Sequence, residues 1–487
     1  MKRLLFLLVP VALSAQVEID TVIRLPSFLQ QGFFISEHNK LYVEGSDQYY
    51  VLDCSTYQVK SQIPRPYSMG LAHYSYDWRR RKLYVSVNPY PDSTLVIDAA
   101  ADSVIGWSVV SVDDHWDLYV SDIDRRYKSI GDTLYGFECA ADTVVQRILP
   151  PTPGAGFGRT SWDSVGHKIY AGMSTLENSL QLAVYDYVAD SLVKLIDVSS
   201  IPAWALDAIV FDNTHRRAYL GPYQPEMGSV NVGIIDTERD TLVGVLPVRI
   251  WNGLYTQVAV DERDGKVYLA DNDADPTTPD TLWVVDGATD SVLKKVVYEQ
   301  KGWGACVVRW VPWSNRIYIG RICDTDNQDI DSSIVVLDCN TDSIIVPALQ
   351  VGRWQPADIQ LDPIRERIFV IGADTGTIHV LRDTGYGGVA EGKRLEPRPS
   401  SGLRVQMVPS GFEIRYSVTS ACRVELSVYD LMGREVRRLV AEGQLTGQHA
   451  VVWNCQDLHG NRAARGVYFV RLDTPGFRSV KKAVVAR

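Results

Sequence analysis

The sequence is poor in the features that announce chemistry. It contains no Gly-x-Ser-x-Gly nucleophile elbow, no His-Glu-x-x-His and no phosphate-cradling glycine loop. Its eight histidines are scattered. None of the seven cysteines forms a Cys-x-x-Cys pair, which leaves a zinc knuckle or a dithiol redox site without support. There is no basic stripe: Arg79-Arg80-Arg81 and Arg437-Arg438 are short and the formal net charge is −10, so nucleic acid is not an expected partner. After residue 13 no apolar run approaches the length of a membrane span, and no membrane-crossing helix is expected.

What is abundant is material for strands. Of 487 residues, 46% are hydrophobic, and 12 Trp and 25 Tyr suit half-buried pleated surfaces. The size prior gives two to four domains. Lys2-Arg3 followed by the apolar stretch Leu4 to Leu13 and the small pair Ser14-Ala15 reads as a secretory signal peptide over residues 1–15. The expected location is therefore secreted, extracellular or on the outer cell surface.

One sentence of sequence recurs. An Asp stands seven positions before a Tyr inside a short strand: Asp77 and Tyr84, Asp163 and Tyr170, Asp212 and Tyr219, Asp261 and Tyr268, with Phe369 after Asp362. Tyr42 and Tyr318 sit in equivalent strands without the Asp, and Asp122 leads to Ser129, read as a copy that has lost its aromatic. The spacing of these marks is about 40 to 50 residues. A second strand ending in Asp follows, as at Asp53, Asp98, Asp186, Asp236 and Asp338. Four residues on, Asp-Ser or Asp-Thr opens a third strand, as at Asp102-Ser103, Asp240-Thr241 and Asp342-Ser343; these side chains are expected to close the turn by bonding nearby N–H groups.

With one apolar strand ahead of each Asp, the unit has four strands, the make-up of a propeller blade. Eight units fit residues 28–383, and seven remains an alternative count. The last unit lacks its outer strand, whereas residues 18–25 hold an Asp-Thr-Val strand with no unit before it. The expectation is that this strand completes the eighth blade and closes the ring, with an open β-solenoid as the plain alternative.

Units such as Gly265-Lys266-Val267-Tyr268-Leu269-Ala270-Asp271, followed by Trp283-Val284-Val285-Asp286-Gly287-Ala288-Thr289-Asp290-Ser291-Val292, resemble the YVTN-type β-propeller repeats of secreted and surface-layer proteins. The resemblance covers about three quarters of the chain and implies fold more than activity. Residues 384–400, rich in Gly and Pro, read as a linker. Residues 401–487 form alternating strands of a small Ig-like β-sandwich. The segments 428–436 and 447–453, Gly460-Asn461 and Gly466-Val467-Tyr468-Phe469 resemble the C-terminal sorting domain of the type IX secretion system and the Ig-like domain of flagellar hook-capping proteins. That resemblance implies export machinery as a partner. Met407-Val408-Pro409-Ser410 replaces the usual opening Pro-Asn-Pro, and Cys455 stands where Gly is usual.

Candidate sites are few. Trp204, Trp251, Trp303 and Trp354 occupy similar positions in the loops leading into the first strands of the last four blades. Exposed, they form an aromatic rim for sugar rings, proline or cations; otherwise they wedge between blades. The loops between second and third strands share that face. They carry Asp271, Asp273 and Asp275, and Asp324 and Asp326, whose alternate carboxylates suit Ca2+ as the one cofactor to consider. Pro276 and Leu282 break the EF-hand pattern, so solvated acidic loops are the plain reading. Asp113-Asp114-His115 could serve a metal or a general base, or simply be solvated. Cys54, Cys139 and Cys339 are expected as small buried residues, while Cys306 with Cys323 and Cys422 with Cys455 are candidate pairs. The function this supports is a secreted or surface propeller that binds a protein or glycan, exported through its C-terminal domain. The alternatives are an extracellular propeller lyase or hydrolase and a structural surface-layer protein.

Overall fold

A computed structural model describes residues 17–65, 73–86, 93–109, 117–130, 132–174, 180–201, 205–223, 231–248, 257–271, 279–299, 304–321, 332–352, 356–373, 376–383, 403–408, 411–418, 422–430, 434–444, 447–457, 461–474 and 477–485. Among these the chain is all β, with helix only in the single 3-10 turns Ser36–His38 and Ser121–Ile123. Seven consecutive four-stranded antiparallel meanders occupy residues 29–64, 73–109, 117–148, 156–197, 205–246, 258–299 and 305–352. An eighth sheet joins Pro356–Asp362, Arg367–Gly372 and Thr377–Asp383 to the N-terminal strand Val17–Arg24.

Strand position within each sheet follows from composition. Second and third strands are near-continuous apolar runs, as in Lys40–Gly45 and Val232–Asp236, and they are buried throughout. They are covered on both faces by neighbouring sheets, so alternation is lost. Fourth strands such as Ser191–Asp197 are mostly exposed and form the outer rim. First strands of successive sheets pack against one another and so line the axis. The first strand of sheet one also packs on that of sheet eight, where the Gly32 N–H donates to Asp358 Oδ2 at 3.2 Å and the Phe34 N–H to Gln360 Oε1 at 3.3 Å. The sheets therefore close on themselves.

The N-terminal strand takes the register of any other fourth strand. Between third and fourth strands every sheet shifts register at one equivalent place, for example Val96/Ile97, Val184/Tyr185 and Val284/Val285. In the eighth sheet that shift lies between Ile19 and Thr21. A bulge repeated at one position tightens strand twist by the same amount in each copy.

The third copy corrects the sequence reading. Val120 pairs with Arg125 as Asp77 pairs with Lys82, so the aromatic equivalent to Tyr84 is Tyr127, not Ser129. The aromatic is kept, buried like Tyr42 and Tyr170, and it is the Asp that is lost. A 3-10 turn replaces the Asp-capped turn in this copy and in the first, which hid the alignment.

Beyond residue 402, one three-stranded sheet (Arg404–Val408, Gly411–Val418, Gly447–Trp453) and one four-stranded sheet share a core. Trp453 is fully buried there, against Phe412 and Tyr468. The four-stranded sheet comprises Glu435–Gln444, Cys422–Tyr429, Gly466–Thr474 and Phe477–Val485.

Candidate functional site

The repeated residues act between sheets. The Asp of each Asp-Ser or Asp-Thr pair does not cap its own turn. Where an Asp stands four residues earlier it takes that role: Asp98 Oδ1 accepts the N–H groups of Ala100 and Ala101 at 2.8 and 3.0 Å. Asp102 instead takes a left-handed backbone (φ 55°), and its carboxylate reaches the preceding sheet. There it accepts from Lys40 Nζ at 2.6 Å and Tyr42 OH at 2.7 Å. The same latch joins Lys82 and Tyr84 to Asp142, Lys168 and Tyr170 to Asp240, and Lys266 and Tyr268 to Asp342. Asp383 receives Arg316 and Tyr318, and Asp290 receives Arg217. In the third sheet Gln146 relays, accepting from Arg125 and Tyr127 and donating to Asp190 of the next sheet. Burial together with the Asp partner pushes these tyrosines well above the ordinary phenol range. They are neutral donors fixed in structural work, not acids available for catalysis.

The seam between the eighth and first sheets departs from this scheme on both sides at once. Phe369 replaces the Tyr, and Tyr57 (φ 60°) replaces the turn Asp. Their rings meet edge to face at 6.4 Å. Arg367, the cation of that copy, reaches Asp20 on the N-terminal strand at 3.1 Å.

Asp77, Asp124 and Cys139 bring one donor atom each within 4.8 Å of one another, a metal-like grouping. Arg80 already supplies the positive charge. Its Nη1 donates to Asp77 at 3.0 Å and to Asp124 at 2.7 Å, and it holds Asp124 below the usual carboxylate range. Burial pushes the Cys139 thiol up to about 12, so it is a protonated core residue. Cys54 and Cys339 are buried free thiols too. Cys455 is also a free thiol, which corrects its candidate pairing with Cys422. Cys306 Sγ lies 2.9 Å from the Pro356 carbonyl and donates to it, and its candidate partner Cys323 lies outside the described residues.

Most of the site residues read from the sequence lie outside the described residues: Trp204, Trp251, Trp303, Trp354, Asp273, Asp275, Asp324, Asp326 and Asp113-Asp114-His115. Asp271 is described and is 3% exposed. Its backbone N–H donates to Thr281 and its carbonyl accepts from Ala305 and Tyr298, which ties this end of the acidic segment into the sheet.

The structure adds a cavity that sequence reasoning missed. It measures about 360 Å³ and lies at the C-terminal ends of the first strands of sheets one to three, reaching Trp162 of sheet four. Aromatic side chains dominate its wall, among them Phe33, Tyr74, Tyr76, Trp78, Tyr119 and Trp162. Phe33 and Tyr74 stack at 5.5 Å. Glu37, on the 3-10 turn after the first strand, also lines it. Burial raises the pKa of Glu37, while the Tyr76 hydroxyl donates to its carboxylate. His38 next to it is held below its ordinary value by burial and by Lys40 and Arg81. The wall thus offers ring faces, one carboxyl group and the hydroxyls of Ser36, Ser75 and Ser121.

No family model matches the chain, and no characterised protein matches it by sequence. Likenesses appear among solved structures. BamB from Moraxella catarrhalis aligns with a TM-score of 0.53 at 10% identity over 75% of this chain and 99% of its own. The dihydro-heme d1 dehydrogenase NirN aligns with a TM-score of 0.53 at 13% identity over 88% of this chain and 80% of its own. At such identities these show the β-propeller fold alone. Among the described residues no helix is long and apolar enough to cross a membrane.

Proposed function

We propose that the chain is a secreted or cell-surface recognition module: an eight-bladed propeller closed by its N-terminal strand, followed by an Ig-like sandwich that serves as a sorting domain, with a protein or glycan as ligand. The observation that carries the recognition reading is how the titratable groups are used. The repeated Asp, Lys, Arg and Tyr side chains are spent on joining sheets, whereas the axial end of the first strands holds an aromatic cavity with hydroxyls on its wall. Aromatic surface with a few polar groups is the make-up of binding sites. Export is supported by the N-terminal apolar segment and by the C-terminal motif Val428-Tyr429-Asp430-Leu431-Met432-Gly433-Arg434. The Trp204, Trp251, Trp303 and Trp354 series is a second candidate aromatic surface, and the alternate carboxylates of the acidic segments suit Ca2+.

Binding of the full chain to glycan and peptide arrays, with and without calcium, tests the reading. A Trp303→Ala/Trp354→Ala variant runs beside it. A ligand lost in the variant places recognition on the Trp-bearing face; a ligand retained points to the cavity. Absence of any ligand under all conditions contradicts the recognition reading and favours a structural surface protein, whose sign is self-assembly into arrays.

A further inference from the structure

We infer that the cavity at the C-terminal ends of the first strands of sheets one to four is a carbohydrate site, taking a neutral pyranose ring against its aromatic wall with Glu37 as hydrogen-bond acceptor. The inference rests on the recognition reading and names its site and ligand class. Three observations lead to it.

The wall is assembled from four sheets, so its rings are held by the ring of sheets and not by a loop. Phe33 lies between Tyr74, at 5.5 Å, and Tyr76, at 6.4 Å, while the Trp162 Nε1–H donates to Tyr187 OH at 3.1 Å. Flat, pre-positioned rings are what the C–H face of a sugar stacks on, at small entropic cost. A volume of about 360 Å³ is at the small end for ligand pockets.

Polar groups on this wall lack partners within the protein. Ser75 is 6% exposed, and its hydroxyl has no hydrogen bond; nor does the buried Trp78 Nε1–H. Leaving such groups unpaired is costly, because they have given up water without gaining a partner. A ligand that accepts hydrogen bonds relieves that cost. Glu37 asks for the reverse, since its carboxylate has acceptor capacity beyond the one Tyr76 hydroxyl.

Charge decides among ligand classes. Aromatic rings with a carboxylate would also suit an amine. Here the ring of Trp78 already carries Arg79, 5.2 Å from its centroid, and Arg81 acts on both Glu37 and His38. A further cation would be repelled, and it could not accept from Trp78 or Ser75. A prolyl residue offers an apolar ring face and its backbone carbonyl as acceptor but no donor for Glu37. Neighbouring sugar hydroxyls donate and accept together, which meets both needs.

The test uses the full chain. Saturation-transfer NMR and titration calorimetry would be run with the methyl glycosides of glucose, galactose, mannose and N-acetylglucosamine, and with choline and a polyproline peptide as the alternatives. Glu37→Gln keeps shape and removes charge; Ser36→Trp fills the cavity from its rim. Circular dichroism and melting show that each variant is folded. The expected result is saturation of glycoside ring protons, with affinity about tenfold or more weaker in both variants and unchanged in Trp303→Ala/Trp354→Ala. Glycoside binding that survives Ser36→Trp but is lost in the Trp double variant overturns the cavity and leaves the recognition reading standing. Binding of choline or polyproline in place of every glycoside overturns the ligand class. Silence of the wild-type chain toward these probes and toward the arrays overturns both.

Discussion

Asp261 is the residue at which the repeat leaves a charge uncompensated. In three copies the corresponding carboxylate meets a cation, Asp77 with Arg80 at 3.0 Å, Asp163 with Arg216 at 2.8 Å and Asp362 with Arg365 at 3.0 Å, and in a fourth Asp212 meets the His215 ring Nδ1 at 2.8 Å. Asp261 Oδ1 accepts the N–H groups of Arg263 and Asp264 at 2.9 and 3.1 Å, but Oδ2 has no partner and the residue is 0% exposed. Arg263 points outward, half-exposed, toward Asp264. Burial, with the nearby Asp264 charge, pushes the Asp261 carboxyl up to about 6. An unfolded Asp titrates near ~3.9, and about two units of difference corresponds to ~3 kcal/mol. The sign follows from proton linkage. Above the folded value the ionised group opposes folding in full, and the penalty fades as pH falls toward the unfolded value. Asp261→Asn keeps the oxygen that caps the turn and removes the charge. The variant should melt ~4 °C above the wild type at about pH 7.5, using ~2 cal/mol/K per residue for a domain of this size. The gap should narrow as pH falls from about 6 to about 4 and close by about pH 3, where the carboxyl is protonated in both the folded and the unfolded chain. Scanning calorimetry of both proteins across that range reads it directly. A variant that melts no higher at neutral pH, or a gap that does not move with pH, would refute the reasoning.

Other outcomes follow from the same contacts. Asp240→Ala strands the half-buried Lys168 ammonium and the buried Tyr170 hydroxyl, and should cost about 2–4 kcal/mol in denaturant unfolding, against ~1 kcal/mol for Tyr170→Phe. At the seam, Tyr57→Asp alone should destabilise by removing an edge-to-face pair worth about 0.5–1.5 kcal/mol, and adding Phe369→Tyr should recover part of it; a double-mutant cycle with no coupling would contradict the pairing. Deleting residues 17–24 should bare the edge of Thr377–Asp383 and produce dimers or aggregates on size-exclusion chromatography. Millimolar calcium should raise the melting temperature if the acidic segments at Asp271 and Asp324 hold an ion, and no shift would dispose of that site. Removal of residues 401–487 should abolish surface delivery; unchanged delivery would sink the sorting proposal.

Much of the architecture was legible because it is written locally. The Asp-to-aromatic spacing is one hairpin long, and a hairpin is specified by its own turn residues. The orphan strand near the N-terminus was legible for the same reason: residues 18–25 carry a fourth-strand pattern with nothing ahead of them. Registration failed at Tyr127, where Ile123 and Asp124 end a 3-10 turn that carries no Asp cap to mark the strand. The role of Asp102, Asp240 and Asp342 was misread because their partners lie 60 to 76 residues away in sequence, and a turn residue with a free carboxylate looks local until the neighbouring sheet is in place. The cavity was invisible for a stronger reason. Phe33, Tyr76, Tyr119 and Trp162 come from four sheets, and each taken alone resembles an ordinary strand aromatic.

The account turns on a ring closed by the N-terminal strand. Amide hydrogen exchange of the full chain tests this most directly. A closed ring predicts that the amides of Thr377–Asp383 and Leu29–Ile35 exchange as slowly as those of Lys266–Ala270, deep in the sixth sheet. Rapid exchange confined to the first and eighth sheets, with the middle sheets protected, would contradict closure and describe an open solenoid with frayed ends.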